Sequence, residues 1–360
     1  MPATPLTRRA QVVGLGLVGA SIAGGLRARG WQVTGSDRDE IRAARAAELG
    51  VIDRVGHDDQ ADIAFVATPA SAVVPVAREL LATGGDNLIV TDVAGVKGPI
   101  VSELAHPRFV AGHPMAGSEQ EGPDGADPEL FVGATWVLTP TEHTDPAAFT
   151  TLQSVIASLG ADVVALAADR HDELVAVISH VPHLTSATLM SLAGESSLDH
   201  AALMRLAAGG FRDMTRIAAG SPAIWPDICR DNAGAILPVL DRLIDRLGEV
   251  RRIVADGDRS SLVALLETAR SSRRNLPPRG LRPTVVAELR VVVPDRPGVL
   301  AEVTTLAGEL GVNIYDLEIA HSAEGPRGVL VLVIDAAAVE AVVTPLRDHG
   351  YRVSWTTEDA

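Results

Sequence analysis

Short Val- and Ile-rich runs alternate with helix-length segments through the first half of the chain. The runs cover residues 11–14, 32–36, 63–67, 88–91, 109–111 and 136–138. Strands that are apolar throughout and spaced by helices form a parallel sheet covered on both faces. Residues 1–167 are therefore expected to fold as a Rossmann-type, doubly wound α/β domain. From about Asp169 the strands disappear, and apolar residues recur at three- and four-residue spacing: Leu174, Val177 and Ile178, then Ile236, Val239, Leu240 and Leu243. That period predicts an all-helical second domain over 168–270. Residues 271–284, rich in Pro and Arg and without apolar period, read as an extended linker. Residues 285–360 then read as strand, helix, strand, strand, helix, strand, a small ferredoxin-like βαββαβ unit.

A chain of 360 residues exceeds the usual limit of one core, in keeping with several domains. The formal charge of -15 argues against a nucleic-acid partner, which would need a basic stripe. Cys229 is the only cysteine, which excludes an internal disulfide and a cysteine-based zinc site. The first residues, MPATPLTRRA, have no apolar signal core, and no run of 18 uninterrupted apolar residues occurs. A cytoplasmic protein with no membrane partner is expected.

The first strand runs into Gly14-Leu15-Gly16-Leu17-Val18-Gly19, followed by helix-compatible residues. Gly14 permits a tight turn, Gly16 lets the backbone approach a pyrophosphate, and Gly19 lets helix and strand pack closely. The first-turn amides around Leu17 and Val18 face the anion. Asp37 closes the next strand, where a carboxylate accepts from a ribose 2'-OH and repels a 2'-phosphate. NAD is favoured over NADP, although Arg38 is placed to serve a phosphate or stack on adenine. Thr68, just after the strand ending at residue 67, is a further cofactor-binding candidate.

Two later segments belong at the C-terminal edge of the sheet, where such folds bind ligands: residues 91–98 (TDVAGVKG) and 112–119 (GHPMAGSE). His113, pinned by Pro114, is the best general base, because imidazole titrates near neutrality and can take a hydroxyl proton while hydride leaves the same carbon. His180 and His183 permit a metal reading on composition, but their spacing of three and the interruption of the helix by Pro182 disfavour it, and no metal is expected.

With these motifs and the later segment GFRDMTRIAAGSPAIWPDI, the first 230 or so residues resemble the prephenate dehydrogenase family. The resemblance implies oxidative decarboxylation of prephenate to 4-hydroxyphenylpyruvate with NAD, the histidine of GHP, here His113, assisting oxidation at the ring hydroxyl. It places the segment carrying His171, His180 and His183 beside the substrate, and makes Arg216 the substrate-carboxylate arginine, a role suited to a guanidinium fork. Asp213 and Trp225 would support the pocket or the domain interface. Many members carry a serine that bonds the histidine where this chain has Gly95, which leaves water, a backbone group or Ser118 to make that contact. Lys97 is kept, with cofactor, substrate or sheet end as its possible partner.

Residues 287–356 resemble an ACT domain, opening with VPDRPGVL. Asp295, Gly298 and Asn313 resemble the positions where paired ACT domains hold an amino acid; tyrosine is the sensible effector, with phenylalanine, or no ligand and a dimerisation unit alone, as the alternatives. The resemblance also implies a homodimer. Arogenate dehydrogenase shares fold and motifs, and an NAD-binding ACT-domain regulator without catalysis is the reading from a different class. A β-hydroxyacid dehydrogenase is disfavoured, since it needs a lysine in the helical domain and none follows Lys97.

Overall fold

The computed structural model describes residues 8–118, 120–199, 203–220, 222–275, 285–294, 296–321 and 327–359. The chain divides into two compact units, Met1–Asp256 and Gly257–Ala360.

The first unit is built on an eight-stranded sheet. In chain order its strands are β1 (Arg9–Val13), β2 (Gln32–Ser36), β3 (Arg54–Val55), β4 (Ile63–Val66), β5 (Ile89–Asp92), β6 (Phe109–Pro114), β7 (Thr135–Thr139) and β8 (Asp162–Ala165). They lie in the order β3-β2-β1-β4-β5-β6-β7-β8. The helices α1 (Leu17–Ala28), α2 (Glu40–Glu48), α3 (Ala70–Thr83), α4 (Gly98–Glu103) and α5 (Pro146–Ser158) connect them. Two apolar cores, one including Val12, Ile22, Phe65 and Trp136 and the other Val66, Val73, Val90 and Phe109, bury the sheet. Strand β1 pairs with both β2 and β4, so the order reverses there and a crevice opens beyond its C-terminal end.

The sheet departs from the all-parallel expectation at one place: β6 and β7 are antiparallel, with His113 opposite Val137 and Pro114 opposite Trp136. This pairing carries β6 to Pro114, so His113 sits within the strand rather than in the loop after it.

Beyond β8 the first unit is helical: α6 (Ala168–Val175), a π-helical turn Ala176–His180, α7 (Val181–Asp199), α8 (Gly209–Thr215), α9 (Trp225–Asp231) and α10 (Ala233–Asp256). The expectation that Pro182 interrupts a helix between His180 and His183 is corrected. The π-helical turn widens the backbone just before Pro182, and the helix runs on through both histidines. The continuous helix Ala168–Glu195 is long and apolar enough to cross a membrane by length and composition. Its polar residues His171, Asp172 and His180 are nonetheless buried among partners within the unit.

The second unit begins with α11 (Arg259–Arg274), capped by Asp258, whose side chain accepts from Ser261 N. The helix extends four residues into the stretch expected as linker from Ser271, since Ser and Arg continue a helix and the first prolines come later, at 277 and 278. Then follow β9 (Val285–Pro294), α12 (Val299–Glu309), β10 (Ile314–His321), β11 (Arg327–Asp335), α13 (Val339–Asp348) and β12 (Arg352–Asp359). The order β10-β11-β9-β12, antiparallel throughout, is that of a ferredoxin-like unit. Leu289, Val291, Leu330, Leu332, Val342 and Leu346 form part of its core.

Candidate active site

The glycine-rich turn lies in the crevice beyond β1. Gly14 has φ +94°, and a Cβ there would stand 2.3 Å from Ala67 O, so the loops after β1 and β4 touch backbone to backbone. A Cβ at Gly19 would meet Gly14 O at 1.9 Å, which only glycine avoids. Gly16 is different: its missing side chain would point into open space, leaving bare backbone where a ligand can approach. The first bond of α1 runs from Ala20 N to Gly16 O, so the amides of Leu17, Val18 and Gly19 project from the helix end, an anion-binding arrangement. Asp37 accepts from Leu15 N at 2.8 Å and from Asp39 N at 2.9 Å, with Arg42 3.5 Å away, which holds its carboxylate beside the turn. Thr68 is half-buried in the loop that touches Gly14. This cradle, with bare glycine backbone, a helix N-terminus and a carboxylate at the end of β2, fits a dinucleotide.

His113 reaches the same edge of the sheet. Its Nδ1 lies 2.8 Å from His171 Nε2, and the Nδ1 of His171 lies 2.8 Å from Asp172 Oδ1. Asp172 also accepts from Lys97 N at 2.8 Å through Oδ1 and from Gly98 N at 2.7 Å through Oδ2. The other nitrogen of His113, Nε2, looks toward Gly95, where a Cβ would lie 3.7 Å away. A serine hydroxyl there would be within reach of the ring, so Gly95 leaves open space in front of the base. Ser118 does not fill it: its hydroxyl accepts from Gln120 N at 3.2 Å and, among the described residues, makes no bond to His113. Burial first, then His171, Lys97 and His180, hold the His113 pKa well below its ordinary value. The ring therefore stays neutral through physiological pH, with a lone pair to offer.

Lys97, the chain's only lysine, faces neither cofactor nor substrate. It is 0% exposed, its Nζ pairing with the equally buried Asp92 and donating to Gly112 O at 2.7 Å. Asp92 in turn accepts from Gly112 N at 3.1 Å and Ala94 N at 2.9 Å. The pair thus holds Gly112, the residue just before His113, through both its N–H and its C=O.

His171, expected to touch the substrate, is corrected to a place behind His113. It is 1% exposed, and both its ring nitrogens are occupied. His180, also buried, contacts Asn232 Nδ2 through Nδ1 at 3.1 Å, and burial lowers its pKa to about 4. Asn232 donates as well to Asp172 O at 2.9 Å. His183 is half-buried and stacks on Trp225 with ring centroids 3.7 Å apart; desolvation lowers its pKa. Arg216 opens the 3-10 turn Arg216–Ala219 after α8 and is exposed. Gly220, which ends that turn, lies against His183, a Cβ there standing 3.8 Å from the ring. The sequence reading missed the roles of Asp92, Asp172 and Asn232. Asp172 had a signal in its adjacency to His171; Asn232 had none.

In the second unit, Gly298 caps α12 with φ +89° and Asn313 is exposed just before β10. Asp295 lies outside the described residues.

Comparison with known proteins identifies the family. The chain matches the family models for the prephenate dehydrogenase nucleotide-binding domain over residues 22–165, its dimerization domain over 167–268, and the ACT domain over 287–350. It is 34% identical to the prephenate dehydrogenase of Bacillus subtilis (strain 168), over 89% of this chain and 90% of that protein. Among solved structures, the A. aeolicus prephenate dehydrogenase complex with hydroxyphenyl propionate and NAD+ is 27% identical. It covers 76% of this chain and 100% of that one, at TM-score 0.71. The Synechocystis arogenate dehydrogenase is 35% identical, covering 74% of this chain and 99% of that one, at TM-score 0.63. With the dinucleotide cradle, a neutral histidine at the same sheet edge and matches along nearly the whole length, the chain belongs to the prephenate dehydrogenase family of oxidoreductases, here joined to an ACT domain.

Proposed function

We propose that the chain oxidises and decarboxylates prephenate to 4-hydroxyphenylpyruvate with NAD. The carrying observation is the neutral His113, whose Nε2 opens toward Gly95 at the ligand-binding edge of the sheet. On this reading Nε2 takes the proton of the ring hydroxyl while hydride leaves the same carbon. The ring carboxylate departs as carbon dioxide and leaves its bonding pair to complete the aromatic ring, which makes the step effectively irreversible. NAD, when bound, accepts the hydride. Gly14, Gly16, Leu17, Val18, Gly19 and Thr68 would hold its phosphates and the adjoining edge, and Asp37 its ribose. Arg216 would grip a substrate carboxylate, with His180, His183 and Ser118 toward the substrate; the contact of the Arg216 turn with His183 supports this grouping. The likeness to an arogenate dehydrogenase favours one second reading, in which the substrate side chain bears an amine instead of a ketone.

The ACT domain would bind tyrosine around Asp295, Gly298 and Asn313 and feed back on activity. A homodimer is supported by the match to a dimerization domain and by α10, where the exposed apolar residues Leu237, Ile244, Leu247 and Val254 follow heptad spacing. A single cysteine and the use of NAD support a cytoplasmic location. Absorbance at 340 nm tests the core claim with NAD or NADP and prephenate or arogenate. NADH from prephenate is expected, NADH from arogenate alone would transfer the assignment to the second reading, and no signal in any combination would overturn both. Tyrosine at millimolar levels should lower the rate or raise the melting temperature.

A further inference from the structure

We propose that His171 and Asp172 are positioning residues that keep the proton of His113 on Nδ1, leaving Nε2 as a bare base; this rests on the reading of His113 as general base. Asp172 presents only acceptors. Its Oδ1 takes Lys97 N at 2.8 Å and its Oδ2 takes Gly98 N at 2.7 Å. The His171 Nδ1 that lies 2.8 Å from Oδ1 must then carry a hydrogen. When both rings are neutral, His171 Nε2 holds a lone pair, and His113 Nδ1 at 2.8 Å must donate to it. One proton order satisfies every contact in the row. The reverse order would set a lone pair against a carboxylate at a residue only 1% exposed, where no solvent can step in. When His113 takes a proton on Nε2, its Nδ1–H still donates to His171, so the new positive charge is met by an acceptor that Asp172 supports. No proton needs to pass along the row. Orientation and tautomer are both fixed from the helical segment, while the base itself stands on the sheet.

The test compares two variants. His171→Leu removes the acceptor behind His113 and fills much of the same volume. His171→Gln keeps an acceptor, because its amide oxygen can take the Nδ1 hydrogen while its NH2 group donates to Asp172. For His171→Leu, kcat should fall roughly 10²- to 10⁴-fold, the share of general base catalysis, with KM for substrate and NAD within about twofold of the parent, since the interaction acts in the transition state. For His171→Gln, kcat should return to within about tenfold of the parent. A merely structural role predicts the opposite order, because a buried amide is harder to accommodate than leucine. Equal losses in the two variants, or Leu outperforming Gln, would overturn the proposal. A second readout needs no turnover: an imidazole lone pair attacks diethylpyrocarbonate and takes up its carbethoxy group, and mass spectrometry follows the His113 peptide. His113 should react at similar rates in the parent and His171→Gln and markedly more slowly in His171→Leu; one rate in all three sinks the proposal. If the parent turned over neither substrate, the assigned reaction would fail while this chemical readout still decided the tautomer.

Discussion

Replacing Lys97 by methionine should cost the first unit roughly 3–5 kcal/mol, the usual penalty for leaving one partner of a buried ion pair unmatched. The structure says why the figure belongs there and not near zero, as it would for a surface pair. Lys97 and Asp92 are both 0% exposed, so neither charge has water to fall back on. Methionine fills the volume but leaves Asp92 with only the amides of Gly112 and Ala94, and leaves Gly112 O without its Nζ donor. Each kcal/mol moves a unit of 150–250 residues by roughly 2–4 °C, so scanning calorimetry should show the transition of Met1–Asp256 lowered by roughly 6–20 °C. Activity should fall with it, since the lost bond positions the peptide before His113. Adding Asp92→Asn removes the stranded charge, and the double variant should be more stable than the sum of the two single losses by roughly 1–3 kcal/mol. A melting temperature within about 2 °C of the parent, taken against that per-kcal shift, or strict additivity in the cycle, would refute the reasoning.

Gly16→Ala should leave the melting temperature of the ligand-free protein unchanged, because its Cβ meets nothing within 4 Å, yet weaken NAD binding measured by calorimetry; an unchanged affinity would remove Gly16 from the cradle. Gly19→Ala should do both, losing roughly 1–3 kcal/mol of stability, because its Cβ would lie 1.9 Å from Gly14 O. Arg216→Ala should raise the KM for substrate roughly 10- to 100-fold, the worth of a charged hydrogen bond, with a much smaller change in kcat; a pure kcat loss would contradict carboxylate binding. Acid should destabilise the first unit through His180, whose folded pKa of about 4 lies below the ordinary 6.5. The unfolded chain binds the proton first, so stability is whole above pH 6.5 and falls between 6.5 and about 4, by about 3 kcal/mol in all. His180→Gln should flatten that slope in denaturant titrations at stepped pH.

Most of the fold was legible because its signals are local. Each central strand is an apolar run bounded by glycine or a charged residue, and the glycine-rich turn follows the first of them. What escaped was pairing. Strand β3 has two residues, both exposed, and β8 is only half-buried at Val163 and Val164, so hydrophobicity marks them weakly. The antiparallel direction of β7 was recoverable from the segment before it: the described residues of 115–134 hold no α-helix, only the 3-10 turn Pro123–Gly125, and a parallel crossover needs a covering helix. Pro182 misled for a physical reason, since the usual penalty for proline assumes an α-helical ladder, and the π-helical turn before it alters that ladder. At the site, the place of His113 and of the glycines at the C-terminal edge of the sheet could be read from their position after the predicted strands. His171 could not, because whether a histidine faces the substrate or backs the base depends on which nitrogens are already bonded, a tertiary fact.

The single lysine clarifies how a chain of charge -15 is suited to anionic ligands. A surface lysine would add a mobile positive charge near the substrate and raise affinity for many anions. Here the one lysine is sealed under the sheet edge, and its charge is spent on Asp92. On the proposed reading, attraction is left to fixed groups: the open amides of α1 for phosphates and the planar fork of Arg216 for a carboxylate. His113 and His180 are kept neutral by burial, so on that reading they add direction without charge. Asp172 joins the two arrangements. One of its oxygens receives the amide of Lys97, the residue that holds the strand before His113, and the same oxygen faces the imidazole behind His113. The base is therefore gripped from its backbone by the sheet and from its ring by the helical segment. A change that loosens either grip should lower turnover before it lowers substrate affinity, because the groups proposed to hold the ligands stand on α1 and on the turn after α8, apart from that clamp.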